Sequence, residues 1–293
     1  MRPLAAILIL IPGCLLAAST ARHPASPAKS PHISRMAASR AFLGFDRNDY
    51  PGDASLPALR RVFSFAGYWL NNPPGATSNT WAGKHAILRQ SGFGFLVLFN
   101  GRTDAQLGSA VRASALGASD AKVAVNAAFR EGFSRNTIIF VDQEEGGRLL
   151  PEQRSYLFAW IDAVIAAGFR AGVYCSGMPA SEGKGRFVVT ADDIRRHAEG
   201  RGIAFFVYND ACPISPGCAY RAEPPLPSRS GVAFASIWQF AQSPRRREFT
   251  ARCASTYTRD GNCYPPVASG AGSTFVDLDS ATSADPSGGR SLR

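Results

Sequence analysis

Short apolar runs recur along the chain, most of them closed by a polar or acidic residue. Their length and their β-branched and aromatic content predict strands over 41–46, 65–70, 93–99, 137–142, 170–175, 203–208, 235–240 and 274–279. Helical periodicity lies between several of them. Residues 119–132 are Ala-rich and helical, and 151–167 form an amphipathic helix opened by Pro151 and stopped by Gly168. A further helix covers 191–200, with Asp192 near its start. An Asn-Asn-Pro-Pro-Gly turn at 71–75 leads to a loop that should expose Trp81. Short strands alternating with helices over this length predict an α/β fold, a (β/α)8 TIM-type barrel spanning 41–280. The connections at 211–234 and 241–273 make its last third irregular. From Ser280 the chain turns small and polar, so 281–293 reads as a frayed, disordered tail.

The stretch 137–147, Thr-Ile-Ile-Phe-Val-Asp-Gln-Glu-Glu-Gly-Gly, is the centre of the pattern. Four apolar residues in succession fit a strand buried on both faces, as in a parallel sheet. Side chains two apart on a strand share a face, so Asp142 and Glu144 can stand together while Gln143 points away. Crowded carboxyls repel each other's charge, and one should hold its proton to higher pH than the other, as general acid catalysis requires. Glu145 doubles the acid, so choosing Glu144 depends on unbroken strand alternation. Other predicted strands also end in polar residues: Asp46, Asn100, Asn209 with Asp210, Gln239, and Asp277 with Asp279. In a barrel those ends gather on one rim, where active sites sit.

Composition narrows the setting. The 293 residues are 45% hydrophobic, enough for a full core. The formal charge of +10 points to a polyanionic partner, but no zinc-finger spacing, RNP-like aromatic segment or dense basic helix accompanies it, which excludes nucleic acid. Residues 1–21 have a charged start at Arg2, an apolar run over 4–16 and a small-residue cleavage site at 19–21, the pattern of a secretory signal. Pro12 argues against reading Cys14 as a lipoprotein signal. Residues 22–40 form a flexible, Pro- and Ser-rich linker. No other apolar run is long enough to span a membrane, so a secreted or periplasmic protein without an integral membrane segment is expected. After cleavage, Cys212, Cys218, Cys253 and Cys263 read as disulfide staples, Cys212 to Cys218 and Cys253 to Cys263, across loops. Cys175, within an apolar strand, reads as a buried thiol. The four histidines are scattered and no Cys-x2-Cys pair occurs, so no metal and no cofactor is expected.

Taken in order, Gly44-Phe45-Asp46, Val141-Asp142-Gln143-Glu144, Gly172-Val173-Tyr174, Trp238-Gln239 and Val276-Asp277 resemble the family 25 glycoside hydrolases, the lysozymes of bacteria, fungi and phages. They are also similar to a related group of secreted glycoside-hydrolase-like barrels of unsettled activity. The resemblance implies Glu144 as proton donor, Asp142 as the acid that steadies the developing charge or orients the substrate acetamido group, and Asp46 and Asp277 as two further acids lining the site. It implies peptidoglycan as partner and Tyr174 and Trp238 as sugar-facing aromatics, with Gln239, Tyr68 and Asn209 as further substrate contacts. A chitinase-type strand would need aspartates where Thr137 and Phe140 stand. The alternative to an enzyme is a non-catalytic or weakly active glycan-binding barrel.

Overall fold

The computed structural model describes residues 40–209, 223–241 and 276–290. Residues 1–39, which hold the expected signal and nearly all of the expected linker, and the four cysteines expected to pair lie outside the described residues. Eight strands close a barrel: β1 (Phe42–Asp46), β2 (Phe65–Trp69), β3 (Gly94–Asn100), β4 (Ile138–Gln143), β5 (Arg170–Ser176), β8 (Ile203–Tyr208), β9 (Ile237–Ala241) and β10 (Asp277–Ala281). The two short strands between β5 and β8, β6 (Pro179–Ser181) and β7 (Phe187–Val189), form a separate hairpin. Seven barrel strands run parallel, as the apolar runs predict. The last does not: β10 is antiparallel to both β9 and β1. That reversal puts the start of β10, not its end, on the rim with the ends of the other strands, and pairs Asp277 with Asp46.

Alternation along the strands decides what fills the barrel. A Cβ on Gly44 would lie 2.2 Å from the Phe65 ring, and one on Gly172 2.3 Å from the Phe140 ring, so large side chains are accommodated by bare backbone on the neighbouring strand. The same alternation turns Tyr68 outward. It packs with Trp81, His85, Phe95 and Phe133 beneath the helices, and its hydroxyl donates to Glu131. Trp81, expected on an exposed loop, is fully buried, its indole N–H donating to the carbonyls of Arg47 and Asn48. Burial takes the large apolar ring out of water while the two loop carbonyls keep its N–H satisfied.

Outside the strands lie α1 (Leu56–Arg60), α2 (His85–Gln90), α3 (Asp104–Leu107), α4 (Ala110–Glu131), α5 (Pro151–Ala166) and α6 (Thr190–Arg196). α4 starts well before the Ala-rich stretch, because the Ser109 side chain caps it, and Gly132 closes it in the left-handed conformation at φ 98°. α4 and α5 touch backbone to backbone: a Cβ on Gly117 would sit 2.2 Å from the Tyr156 carbonyl oxygen. Beside that contact, Arg102 grips Asp120 through two nitrogens at 2.6 and 2.9 Å, and the Tyr156 hydroxyl donates to Asp120 at 3.0 Å.

The expected frayed tail is an ordered clip as far as residue 290. β3 starts before β4, so its first residues pair with β2 on one side and have no strand partner on the β4 side. The tail supplies one: Asp285 Oδ1 accepts from the Phe95 amide at 2.8 Å, Ser287 Oγ from the Val97 amide at 2.8 Å, and the Ser287 carbonyl from the Ile138 amide at 2.8 Å. Small polar residues here satisfy buried backbone donors, a role that composition alone does not distinguish from disorder.

Candidate active site

The polar strand ends converge as expected for a barrel. On β4, Phe140 and Asp142 face inward; Asp142 is in register with Asn100 of β3 and Tyr174 of β5. Asp142 is buried, and its Oδ1 has no hydrogen-bond partner among the described residues. Burial, reinforced by the charges of Glu144 and Asp46, drives its pKa well above the ordinary carboxylate range. Glu144 follows the end of β4 and is exposed.

Glu145 is assigned elsewhere. Its carboxylate accepts from the Asp104 amide at the start of α3 at 3.0 and 3.1 Å, and from Gln153 Nε2 at 2.5 Å. It anchors two helices and leaves Glu144 as the acid presented at the rim. The loop that follows is clamped as well: Arg148 pairs with Glu182 and with the fully buried Asp193, which also accepts from the Leu149 amide. Thr190 Oγ1 holds Gly147 from both its amide and its carbonyl.

Across the barrel, Gln239 ties the interior acids together. Its Oε1 accepts from the Tyr174 hydroxyl at 2.7 Å, and its Nε2 donates to Asp46 at 2.9 Å and, more weakly, to Asp277 at 3.5 Å. Asp46 is buried; desolvation raises its pKa from 3.8 to about 6, against the lowering effect of hydrogen bonds from Gln239 and Asp279. Tyr174 is buried, stacked at 4.6 Å on Phe206 and 5.6 Å on Tyr208. Burial first, then the charges of Asp142, Asp46, Asp277 and Glu144, push its pKa upward. One phenol thus senses four carboxyls from three strands and the rim.

Of the residues singled out in the sequence, Asp46, Asp142, Glu144, Tyr174, Gln239 and Asp277 are brought together. Trp238, Tyr68 and Asn209 are not. Trp238 points to the opposite face of β9 from Gln239, packs on Phe240 and donates to the Asn209 carbonyl at 2.8 Å. Asn209 donates its side-chain amide to Ser230 at 2.6 Å, holding a loop. Asp279, named in the sequence only as a polar strand end, is fully buried inside the barrel. Tyr208 was missed: it donates to the Glu144 carbonyl at 3.3 Å and lies two positions from the inward-facing Phe206, so the period of the strand could have found it.

Residues 64–205 match the Rv2525c-like, glycoside hydrolase-like domain. The fold is glycoside hydrolase-like. Among solved structures, this glycoside-hydrolase-like barrel is similar to an uncharacterized B. stearothermophilus protein at 18% identity, covering 81% of this chain and 94% of that one with a TM-score of 0.51. It is also similar to the Mycobacterium tuberculosis Tat-secreted protein Rv2525c, at 15% identity over 83% and 95% of the two chains with a TM-score of 0.47. The bacterial lysozyme from Streptomyces coelicolor aligns at 13% identity over 81% and 90%, with a TM-score of 0.44. No curated protein sequence matches the chain. Among the described residues, no helix is long and apolar enough to cross a membrane and no acid, His or Cys group is arranged to hold a metal ion.

Proposed function

We propose that this chain is an exported glycosidase that cleaves β-1,4 bonds next to N-acetylmuramic acid in peptidoglycan. The observation that carries this reading is the pair at the end of β4: an exposed Glu144 just past the strand and a buried Asp142 whose Oδ1 has no partner among the described residues. Glu144 is placed to deliver a proton to the leaving oxygen. Asp142 lies one strand pitch below, where it can take the acetamido group of the substrate and steady an oxazolinium- or oxocarbenium-like centre. The anchoring of Glu145 on α3 and α5 supports the choice of Glu144. The formal charge of +10 would hold the enzyme on an acidic wall polymer.

The second reading is a glycan-binding barrel without turnover. What favours it is the burial of Asp142 beside the charges of Glu144 and Asp46, which disfavours the negative charge an oxocarbenium ion needs. The test is the release of reducing ends from purified peptidoglycan by the wild type and by Glu144→Gln, across about pH 4–7. Turnover that falls by on the order of 10²–10⁴-fold in the Gln variant supports the glycosidase. Binding without product across that range supports the second reading and ends the first.

A further inference from the structure

Asp279 has no place in the scheme above, yet it occupies the barrel interior. It is fully buried. Its ladder neighbours are Gly44 of β1, which has no side chain to offer, and Gln239 of β9. The β9 ladder slips by one residue at Leu278/Asp279, and that slip brings Gln239 opposite Asp279. The Gln239 amide is directed at Tyr174, Asp46 and Asp277. Among the described residues, no N–H or hydroxyl donates to either Asp279 oxygen, and none of the ion pairs reaches it. An ionised carboxylate in that position would lose its hydration with nothing in return. A neutral carboxylic acid carries its own donor, and the partner it meets is the Asp46 carboxyl.

We propose that Asp279 is a positioning residue that holds a proton and donates it to Asp46, so that the pair carries a single negative charge. That charge fixes Gln239 in one orientation, because a carboxylate accepts from Nε2 and rejects Oε1. With Oε1 turned to Tyr174, the phenol must donate to Gln239, and its lone pairs are left for the Asp142 side of the site. Two charges on the pair would repel; two protons would let Asp46 donate to Oε1 and free the amide to flip. The groups facing Asp279 are Asp46 from β1, Gln239 from β9 and Asp277 from its own strand. Burial and the charges of Asp46 and Asp277 act in the same direction, toward the protonated form. The effect on turnover rests on the glycosidase reading; the proton pairing does not.

The experiment is 13C NMR of the aspartate carboxyls in the full chain, titrated over about pH 4–9 for wild type, Asp279→Asn and Asp279→Ala. The wild type should show two coupled titrations above the ordinary aspartate range. Asp279→Asn should remove the upper one and leave Asp46 titrating near about 6, since the amide N–H replaces the acid O–H. Asp279→Ala removes the donor and should move the Asp46 titration upward. An Asp279 that titrates in the ordinary range, or an Asn variant that displaces Asp46 as the Ala variant does, overturns the proposal. If the Ala variant does not fold, wild type and Asn still decide, because loss of the upper step with the lower one unmoved is required. With glycan as substrate, the Asn variant should keep kcat and the part of the pH profile set by Asp46 but lose the fall at high pH that follows ionisation of Asp279, while the Ala variant loses on the order of 100-fold in kcat. A chain that cleaves nothing leaves the titrations readable, so the two proposals fail separately.

Discussion

Replacing Asp46 by Asn should stabilise the protein at neutral pH and flatten its stability against pH. Burial raises the Asp46 pKa from 3.8 to about 6. A raised folded-state pKa means the native state binds more protons than the unfolded chain through that interval. Stability from this group is therefore complete below the unfolded pKa and is lost as pH rises through the folded one. A difference of about two pKa steps corresponds to about 3 kcal/mol. Asn cannot ionise, so the variant should gain on the wild type by about 3 kcal/mol between about pH 4 and pH 7. Coupling enlarges the difference: with no charge at 46, Asp142 and Asp279 ionise at lower cost. The assay is urea unfolding of both proteins at closely spaced pH values, with the m-value checked for constancy. Parallel stability curves would show that Asp46 is not desolvated in the native state. A wild type that grows more stable over the same interval would show an ionised, well-solvated acid. The stability held back at pH 7 is the kind of cost that functional sites carry.

Two further outcomes test the frame that holds the site. Gly117→Ala should destabilise by about 1–3 kcal/mol despite the better helix propensity of Ala, because its Cβ meets the Tyr156 carbonyl, and the urea midpoint should fall. Deleting residues 284–293 should lower the midpoint further, since the amides of Phe95, Val97 and Ile138 lose their acceptors at about 1–3 kcal/mol for each group left buried. An unchanged midpoint would mean that water or β4 replaces the tail.

The sequence by itself determined the strands, the two long helices and the six polar residues that meet on the barrel. Those features are local: runs of apolar residues report burial, period two reports face, and Pro151 and Gly168 mark the ends of α5. It also put Asp142 at the end of β4 and Glu144 just past it. Tertiary structure decided the rest. An apolar run reads the same in either direction, so only the partners of β10 reveal that it is reversed and that Asp279 lies deeper than Asp277. Tyr68 and Trp238 are aromatics on barrel strands like Tyr174, and only alternation anchored by a known inward neighbour turns them away from the acids. Glu145 resembles Glu144 until α3 and α5 arrive to occupy it. The tail has the composition of a frayed end because the donors it satisfies belong to strands far away in the chain. The upward shift of the Asp142 pKa follows first from desolvation and then from the charges of Glu144, just past the end of β4, and Asp46 on β1. Those effects act through space, and a linear pattern contains no distances.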